Sequence, residues 1–357
     1  MKNETQYNFS EFETMVRAGQ GGAVQQIILQ LNPAQLNRYE KIKFANLSRR
    51  VGLPQMAIRL LRPIIRPADG SVSFADDEEK CEYGAALIKE GLVGEGLKLL
   101  ATLDPVKNAQ ADLFTSFGLF TRWDYAGAEP LLRRYLKTGL NDYQAMVGKT
   151  NLAAALIFLN KLDEAEDLLL GLRDDAEKTQ SKLIQSYCYE LLGQTYLGCL
   201  DFAQANRSFL KAGSESQHSS TSVPFMVKKW LAITQLLENE TAESAELDAV
   251  IKEAIERRDF ETVRTCDFHR AVALKDEALA KKVFFGTPHV KLRQKIQDAV
   301  SGFCTLGDRY EQCGSGAGGG RFFDMQSGKE IAAPKNYGSR KYKAIEPAPG
   351  RYVKAKA

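Results

Sequence analysis

Residues 187–196 read YCYELLGQTY and residues 202–212 read FAQANRSFLKA, separated by the break LGCLD at 197–201. On each side of the break the apolar residues return every three or four positions. That is the spacing of an amphipathic helix, and Gly198 to Asp201 supplies a turn between two of them. Gly193 and Ala205 stand twelve positions apart. Small side chains at those places let two antiparallel helices approach closely, while Tyr196 and Phe209 fill the volume beside them.

The same small-residue pair recurs as Ala45 with Ala57, Gly84 with Gly96, Ser116 with Ala128 and Ala153 with Ala165. Ala245 and Ala278 are expected to continue the series. The second-helix anchors Ala57, Gly96, Ala128, Ala165, Ala205, Ala245 and Ala278 are then 39, 32, 37, 40, 40 and 33 residues apart. Between about Arg38 and Phe285 almost no stretch alternates as a strand does, so the chain is expected to be all-α. Leu192, Gly193, Tyr196, Ala205, Phe209 and Ala212 stand where a tetratricopeptide repeat has its signature residues, and the segment resembles that family. The resemblance covers about 240 residues, most strongly in the middle of the chain. It implies a right-handed superhelical solenoid of antiparallel helix pairs, about seven of them. The mean spacing exceeds the ~34 residues of the ideal repeat, which places extra loop at 67–75 and 213–224.

This reading divides the chain into N-terminal capping helices at 1–37, repeats at 38–287, a C-terminal capping helix at 288–312, a glycine-rich linker at 313–320 and a basic, aromatic tail at 321–357. Ser10 and Glu13 are spaced as a capping box ahead of Phe12, Met15 and Val16, and a second helix is expected over 23–31. Pro54 stands near the start of a second helix, where proline is tolerated. Residues 289–304 are amphipathic and suited to covering the last repeat. The tail carries nine Lys or Arg against three acids, a net +6 that leaves −3 for the rest of the chain. Asp324 to Ile331 reads as two short strands around Ser327-Gly328.

A net charge of +3 over 357 residues argues against a surface devoted to nucleic acid. No basic-then-apolar leader opens the sequence, and the longest apolar run, 152–159, is far short of a membrane span. A cytoplasmic protein without membrane insertion is expected. The six cysteines form no Cys-x-x-Cys and are expected to be reduced, mostly buried thiols with no metal. His218 and His289 read as solvated and His269 as packed within a helix. Nothing in the spacing joins a nucleophile, a base and an orienting group, so neither an enzyme nor a cofactor is expected. The run Gly314 to Gly320 contains G-x-G-x-x-G, but it is expected to follow a helix and has no Walker-type Lys-Ser/Thr, so it reads as a linker.

In the family it resembles, the first helix of each pair lines an inner wall that binds peptides or helices. Carried over residue by residue, that wall comprises Asn46, Arg49 and Arg50, then Ala85 and Lys89, then Phe117 and Phe120. It continues with Val147, Thr150, Ala154 and Phe158, and with Tyr187, Glu190, Gln194 and Leu197. The Lys/Asn set by which chaperone-binding members grip a terminal carboxylate is not reproduced at matching positions. Phe117, Phe120 and Phe158 are either open in the groove or part of the core. Arg133-Arg134 and Arg257-Arg258 read as solvated helix faces. Two functions follow. One is a noncatalytic scaffold or adaptor for a protein partner, a peptide or helix with an apolar face. The other is a regulator whose tail residues Arg321, Phe322, Phe323, Arg340, Lys341, Tyr342 and Lys343 contact nucleic acid, although the same tail could dock on its own array.

Overall fold

The computed structural model describes residues 7–215, 223–239, 244–287, 289–299, 303–305, 310–313, 321–324 and 330–331. Its helices are α1 (Phe9–Arg17), α2 (Gly21–Leu29), α3 (Arg38–Arg50), α4 (Pro54–Ile65), α5 (Asp77–Lys89), α6 (Val93–Leu100), α7 (Gln110–Thr121) and α8 (Tyr125–Tyr135). They continue as α9 (Asp142–Phe158), α10 (Leu162–Lys178), α11 (Lys182–Gly198), α12 (Phe202–Glu215), α13 (Val223–Asn239), α14 (Ala245–Glu256), α15 (Phe260–Leu274), α16 (Glu277–Gly286) and α17 (Val290–Ala299). The all-α repeat architecture is as expected.

One backbone device recurs at the turns between helices, within pairs and, at Gln180 and Arg258, between one pair and the next. Gly19, Gly52, Gly91, Trp123, Asn160, Leu200 and Lys275 all have positive φ, and each lies between the two helices of a pair. The residue after each one donates its N–H five positions back, as in Leu53 to the Ser48 carbonyl at 2.7 Å and Asp201 to the Tyr196 carbonyl at 2.9 Å. That is a Schellman stop, which ends one helix and turns the chain into the next. Five residues beyond each of these seven positions sits a buried residue: Val24, Ala57, Gly96, Ala128, Ala165, Ala205 and Ala280. The spacing of the anchors is therefore the spacing of this turn.

The rule also corrects two expected anchors. Ala245 and Ala278 are exposed, because each follows closely on a helix N-cap, Ser244 and Asp276. The alanines buried in those helices are Ala254 and Ala280. Elsewhere the small residues are required by contact. A Cβ on Gly96 would lie 2.7 Å from the Gly84 carbonyl oxygen, and one on Gly193 would lie 2.4 Å from Cε1 of the buried Phe209.

The chain divides into two compact units, Met1–Thr195 with Arg207–Val227 and Tyr196–Asn206 with Lys228–Ala357. In the first, Phe12, Val24, Ile28, Phe44, Leu60 and Leu61 form one buried cluster, and Leu100, Phe114, Leu132, Tyr135 and Leu156 belong to a second. In the second unit Trp230, Phe268, Phe284 and Ile296 are buried. It also holds β1 (Phe303–Thr305), β2 (Tyr310–Cys313), β3 (Arg321–Asp324) and β4 (Glu330–Ile331), an antiparallel sheet in sequential order. Phe322 pairs with Ile331 and Phe323 with Glu330 in its register.

Local differences from expectation have local causes. The cap of α1 is Asn8, which accepts from the Glu11 N–H at 3.3 Å, rather than Ser10. The second helix starts at Gly21, two residues early. Helix α17 ends at Ala299, and Phe303-Cys-Thr and Tyr310-Glu-Gln-Cys pair as strands where a capping helix over 288–312 was expected. The glycine run thus follows a strand. Another strand comes after it, without the helix a dinucleotide fingerprint needs.

Candidate functional site

Helices α3, α5 and α9 each begin with a capping box, Asn37 with Glu40, Asp76 with Glu79 and Asn141 with Gln144. These boxes fix where the first helices start and hence which side chains share their faces. On the last turns of α3, Arg49 forks onto Glu82 of α5 at 2.8 and 3.0 Å, and Asn46 donates to the same carboxylate at 2.7 Å. The Arg49 guanidinium also lies 4.6 Å from the centre of the Phe114 ring. Lys89, whose stem is exposed, turns its ammonium onto the Arg49 carbonyl at 2.8 Å. Burial of that ammonium, and then the charge of Arg49, push its pKa down to about 8.

Arg50 carries the cluster toward the N-terminus and across to α9. Its Nη1 donates to Glu13 of α1 at 2.6 Å and to Asn46 at 3.2 Å. Burial works to lower the Arg50 pKa, but the hydrogen bond and charge of Glu13 outweigh it and hold the group above its ordinary value. Glu13 also lies 3.9 Å from Arg17. Both guanidinia meet one ring on the first turn of α9: Arg17 lies 4.5 Å and Arg50 5.9 Å from the centre of Tyr143, within cation–π range. Nη2 of Arg50 is buried and has no hydrogen-bond partner.

Beyond Tyr143 the line reaches α11. Burial pushes the Tyr187 phenol up to about 12, helped by the charge of Glu190 and by the Tyr143 phenol. Glu190 is 2% exposed and accepts from Gln194 at 2.5 Å. The structure therefore joins Asn46, Arg50 and Lys89 to α1, α5 and α9 through direct contacts, while Glu190 and Gln194 pair with each other on α11. Sequence reasoning missed Glu13, Arg17, Glu82 and Tyr143. Tyr143 carried a usable signal, since it lies one turn before Val147 on the face that continues through Thr150 and Ala154.

The expected groove phenylalanines are spent on packing. Phe158 stacks on Tyr125 at 4.0 Å with the rings 1° from parallel and meets Trp123 edge-on at 5.6 Å. Phe120 lies 5.1 Å from Tyr125, and Phe117 lies 5.7 Å from Phe114. All three are half-buried against the pairs beside them. Thr150 donates to the Met146 carbonyl at 2.8 Å, and Ala154 is half-buried.

Several other expectations shift. Arg134 is exposed over half its side chain yet forks onto the buried carboxylate of Asp112 at 2.6 Å through both nitrogens, and Arg133 binds Glu129 and Glu164. His289, expected in solvent, lies 3.1 Å from Glu261 with 14% of its side chain exposed. His269 is buried between Trp230 and Phe268. Burial and then the charges of Lys295 and Lys229 push its pKa down to about 3. Cys81, Cys188 and Cys266 are buried and Cys199 is exposed. Arg321, Phe322 and Phe323 lie in β3, while Arg340, Lys341, Tyr342, Lys343 and His218 fall outside the described residues. Among the described residues no group of His, Cys, Asp and Glu gathers as a metal site, and no helix is long and apolar enough to cross a membrane.

No protein-family model matches the chain. Over 32 residues it is 72% identical to the poly(3-hydroxyalkanoate) polymerase subunit PhaC of Cupriavidus necator. That stretch is 9% of this chain, which spans 5% of the polymerase subunit's length. Among solved structures the chain is similar to a Rap protein complexed with competence and sporulation factor, with a TM-score of 0.53, 13% identity, and coverage of 81% of this chain and 86% of that one. The apo form of RapI is also similar, with a TM-score of 0.39, 12% identity, and coverage of 77% and 84%. With the repeated turn and buried anchors, the first likeness defines the fold as a tetratricopeptide-like helical repeat. At 13% identity it speaks for the fold alone.

Proposed function

We propose that the chain is a noncatalytic cytoplasmic scaffold that holds a peptide segment of a partner protein against the side chains of its first helices. The observation that carries this reading is the cluster of Arg17 and Arg50 on the Tyr143 ring, with Arg49 and Asn46 held on Glu82 beside it. These groups come from helices far apart in sequence, and arginine and tyrosine are the residues that anchor protein partners most often. With Phe117, Phe120 and Phe158 engaged in packing, the partner is better matched by a peptide with polar groups than by an apolar helix. The Rap protein complexed with its factor supports the reading by fold likeness, as a similar helical array found with a ligand. The test is chemical crosslinking from a photoreactive residue placed at Tyr143 in the full chain in its native cells. Crosslinked peptides should recur from one partner and vanish with Tyr187→Ser. Loss of neither partner nor yield on that change, with helicity intact, rejects the reading.

A second reading rests on the 32-residue stretch shared with the polymerase subunit. The likeness is confined to a short segment, 72% identical over 32 residues, the size of a contact element. We infer that it brings this chain to the assembly that handles 3-hydroxyalkanoate polymer. A synthetic peptide of the shared stretch should displace the chain from purified polymer granules carrying the polymerase. Absence of the chain from such granules rejects this reading.

A further inference from the structure

We propose that the Arg17–Arg50–Tyr143 cluster is a seat for a carboxylate of the bound peptide. This rests on the peptide-binding reading above and adds the chemistry of the ligand. Three observations meet here. First, the charges do not balance: among the described residues one carboxylate, Glu13, meets both guanidinia, leaving an excess of one positive charge. Second, Nη1 of Arg50 makes its hydrogen bonds to Glu13 and Asn46, and the Tyr143 phenol also acts on the guanidinium. Its Nη2 is buried without an acceptor, although the side chain keeps 18% of its surface exposed. A buried guanidinium N–H without a partner is costly, and a carboxylate oxygen is the acceptor that relieves it most. Third, Tyr143 offers a ring face to both cations.

The other polar groups nearby are already committed. Asn46 gives its amide to Glu82 and its carbonyl oxygen to Arg50, and Arg49 and Lys89 are engaged with Glu82 and a backbone carbonyl. An incoming monoanion therefore finds one seat, bounded by Arg17, Arg50 and Tyr143. Because Nη2 is covered, one of the side chains over it must move when the seat fills. The carboxylate can come from an acidic side chain or from a peptide C-terminus.

The test uses the full chain and pools of soluble random dodecapeptides, one pool with free C-terminal acids and one amidated, sorted by affinity selection and mass spectrometry. Selected peptides are resynthesised with Gln or Asn for each acid. The seat predicts that one exchange, acid to amide at a side chain or at the terminus, weakens binding about ten- to a hundredfold. The position of that exchange identifies the source. The same exchange should matter little against Arg50→Gln and less than in the wild type against Arg17→Gln, which lies on the exposed face of α1 and spares the α3 packing. If peptides are selected but acid and amide bind alike, or if the loss is as large in both variants, the seat is rejected while the scaffold reading stands. If no peptide is selected from either pool, the scaffold reading fails and the seat with it.

Discussion

Replacing Gly96 with alanine should loosen the array, while the same change at Gly171 should tighten it. Both glycines are helical, so each gains about 1 kcal/mol from the better helix propensity of alanine. At Gly171 the new methyl meets nothing within 4 Å, and the gain is kept. At Gly96 it would lie 2.7 Å from the Gly84 carbonyl oxygen and 2.6 Å from Cγ1 of Ile88, against an ordinary contact of 3.4 Å or more. Helices α5 and α6 must part by roughly 0.7 Å, or Ile88, 5% exposed, must leave its rotamer; overpacking of this kind costs about 1–3 kcal/mol. The net effect at Gly96 is a loss of about 0–2 kcal/mol, so the two variants should differ by about 1–3 kcal/mol. Urea denaturation followed by circular dichroism reads the difference. Hydrogen exchange in α5 and α6 locates it, since arrays can open in parts. A Gly96→Ala protein as stable as Gly171→Ala would refute the claim that close approach selects the small anchors.

Removing Arg134 by Arg134→Gln should destabilise the first unit by about 1–2 kcal/mol, discounted because the arginine itself is half exposed; thermal melts against Asp112→Asn, which removes the buried charge instead, should show the second change to be milder. His269 stays neutral in the fold down to about pH 3 but takes up a proton near 6.5 when unfolded. The unfolded state therefore binds more protons between those values, and stability should fall as pH drops from 6.5 to 5. The slope should reach at most about 1.4 kcal/mol per unit and disappear in His269→Leu. Brief maleimide treatment of the folded chain should modify Cys199, while Cys81, Cys188 and Cys266 react only after unfolding; peptide mapping decides, and rapid labelling of Cys188 would contradict its burial.

The helix pairs were legible because their anchors are local: Ala57, Ala128, Ala165 and Ala205 each follow a turn by a constant five residues, and a constant offset leaves a period in the sequence. Ala245 and Ala278 misled because spacing alone cannot tell the first exposed turn of a helix from its buried middle. The capping boxes at Asn37, Asp76 and Asn141 carry the same S/T/D/N-x-x-E/Q signal that was credited to Ser10, and they locate first-helix starts better. The site was only partly visible. Asn46, Arg50, Tyr187, Glu190 and Gln194 were implied by the resemblance to the repeat family, but Glu13 and Tyr143 reach Arg50 across 37 and 93 residues, and no periodic rule connects helices that meet only after the array is assembled. Phe158 was ambiguous for a related reason: its neighbour Trp123 sits in the turn itself, in a backbone state that sequence did not announce.

That turn has a consequence for how such a chain can change length. The seven joints at Gly19, Gly52, Gly91, Trp123, Asn160, Leu200 and Lys275 each leave one helix with positive φ and deliver the chain to a buried position five residues on. A segment running from one joint to the next is thus a cassette whose two ends match, and duplicating or deleting it preserves the exit and entry geometry of its neighbours. Glycine marks the first three joints, whereas Trp123, Asn160, Leu200 and Lys275 hold a conformation that costs an L-residue about 1–2 kcal/mol. The later joints are accordingly tied to particular neighbours, as Trp123 is to Phe158 and Tyr125, whereas at the early joints the turn itself makes no such demand and neighbour choice falls to side chains such as Arg49 with Glu82.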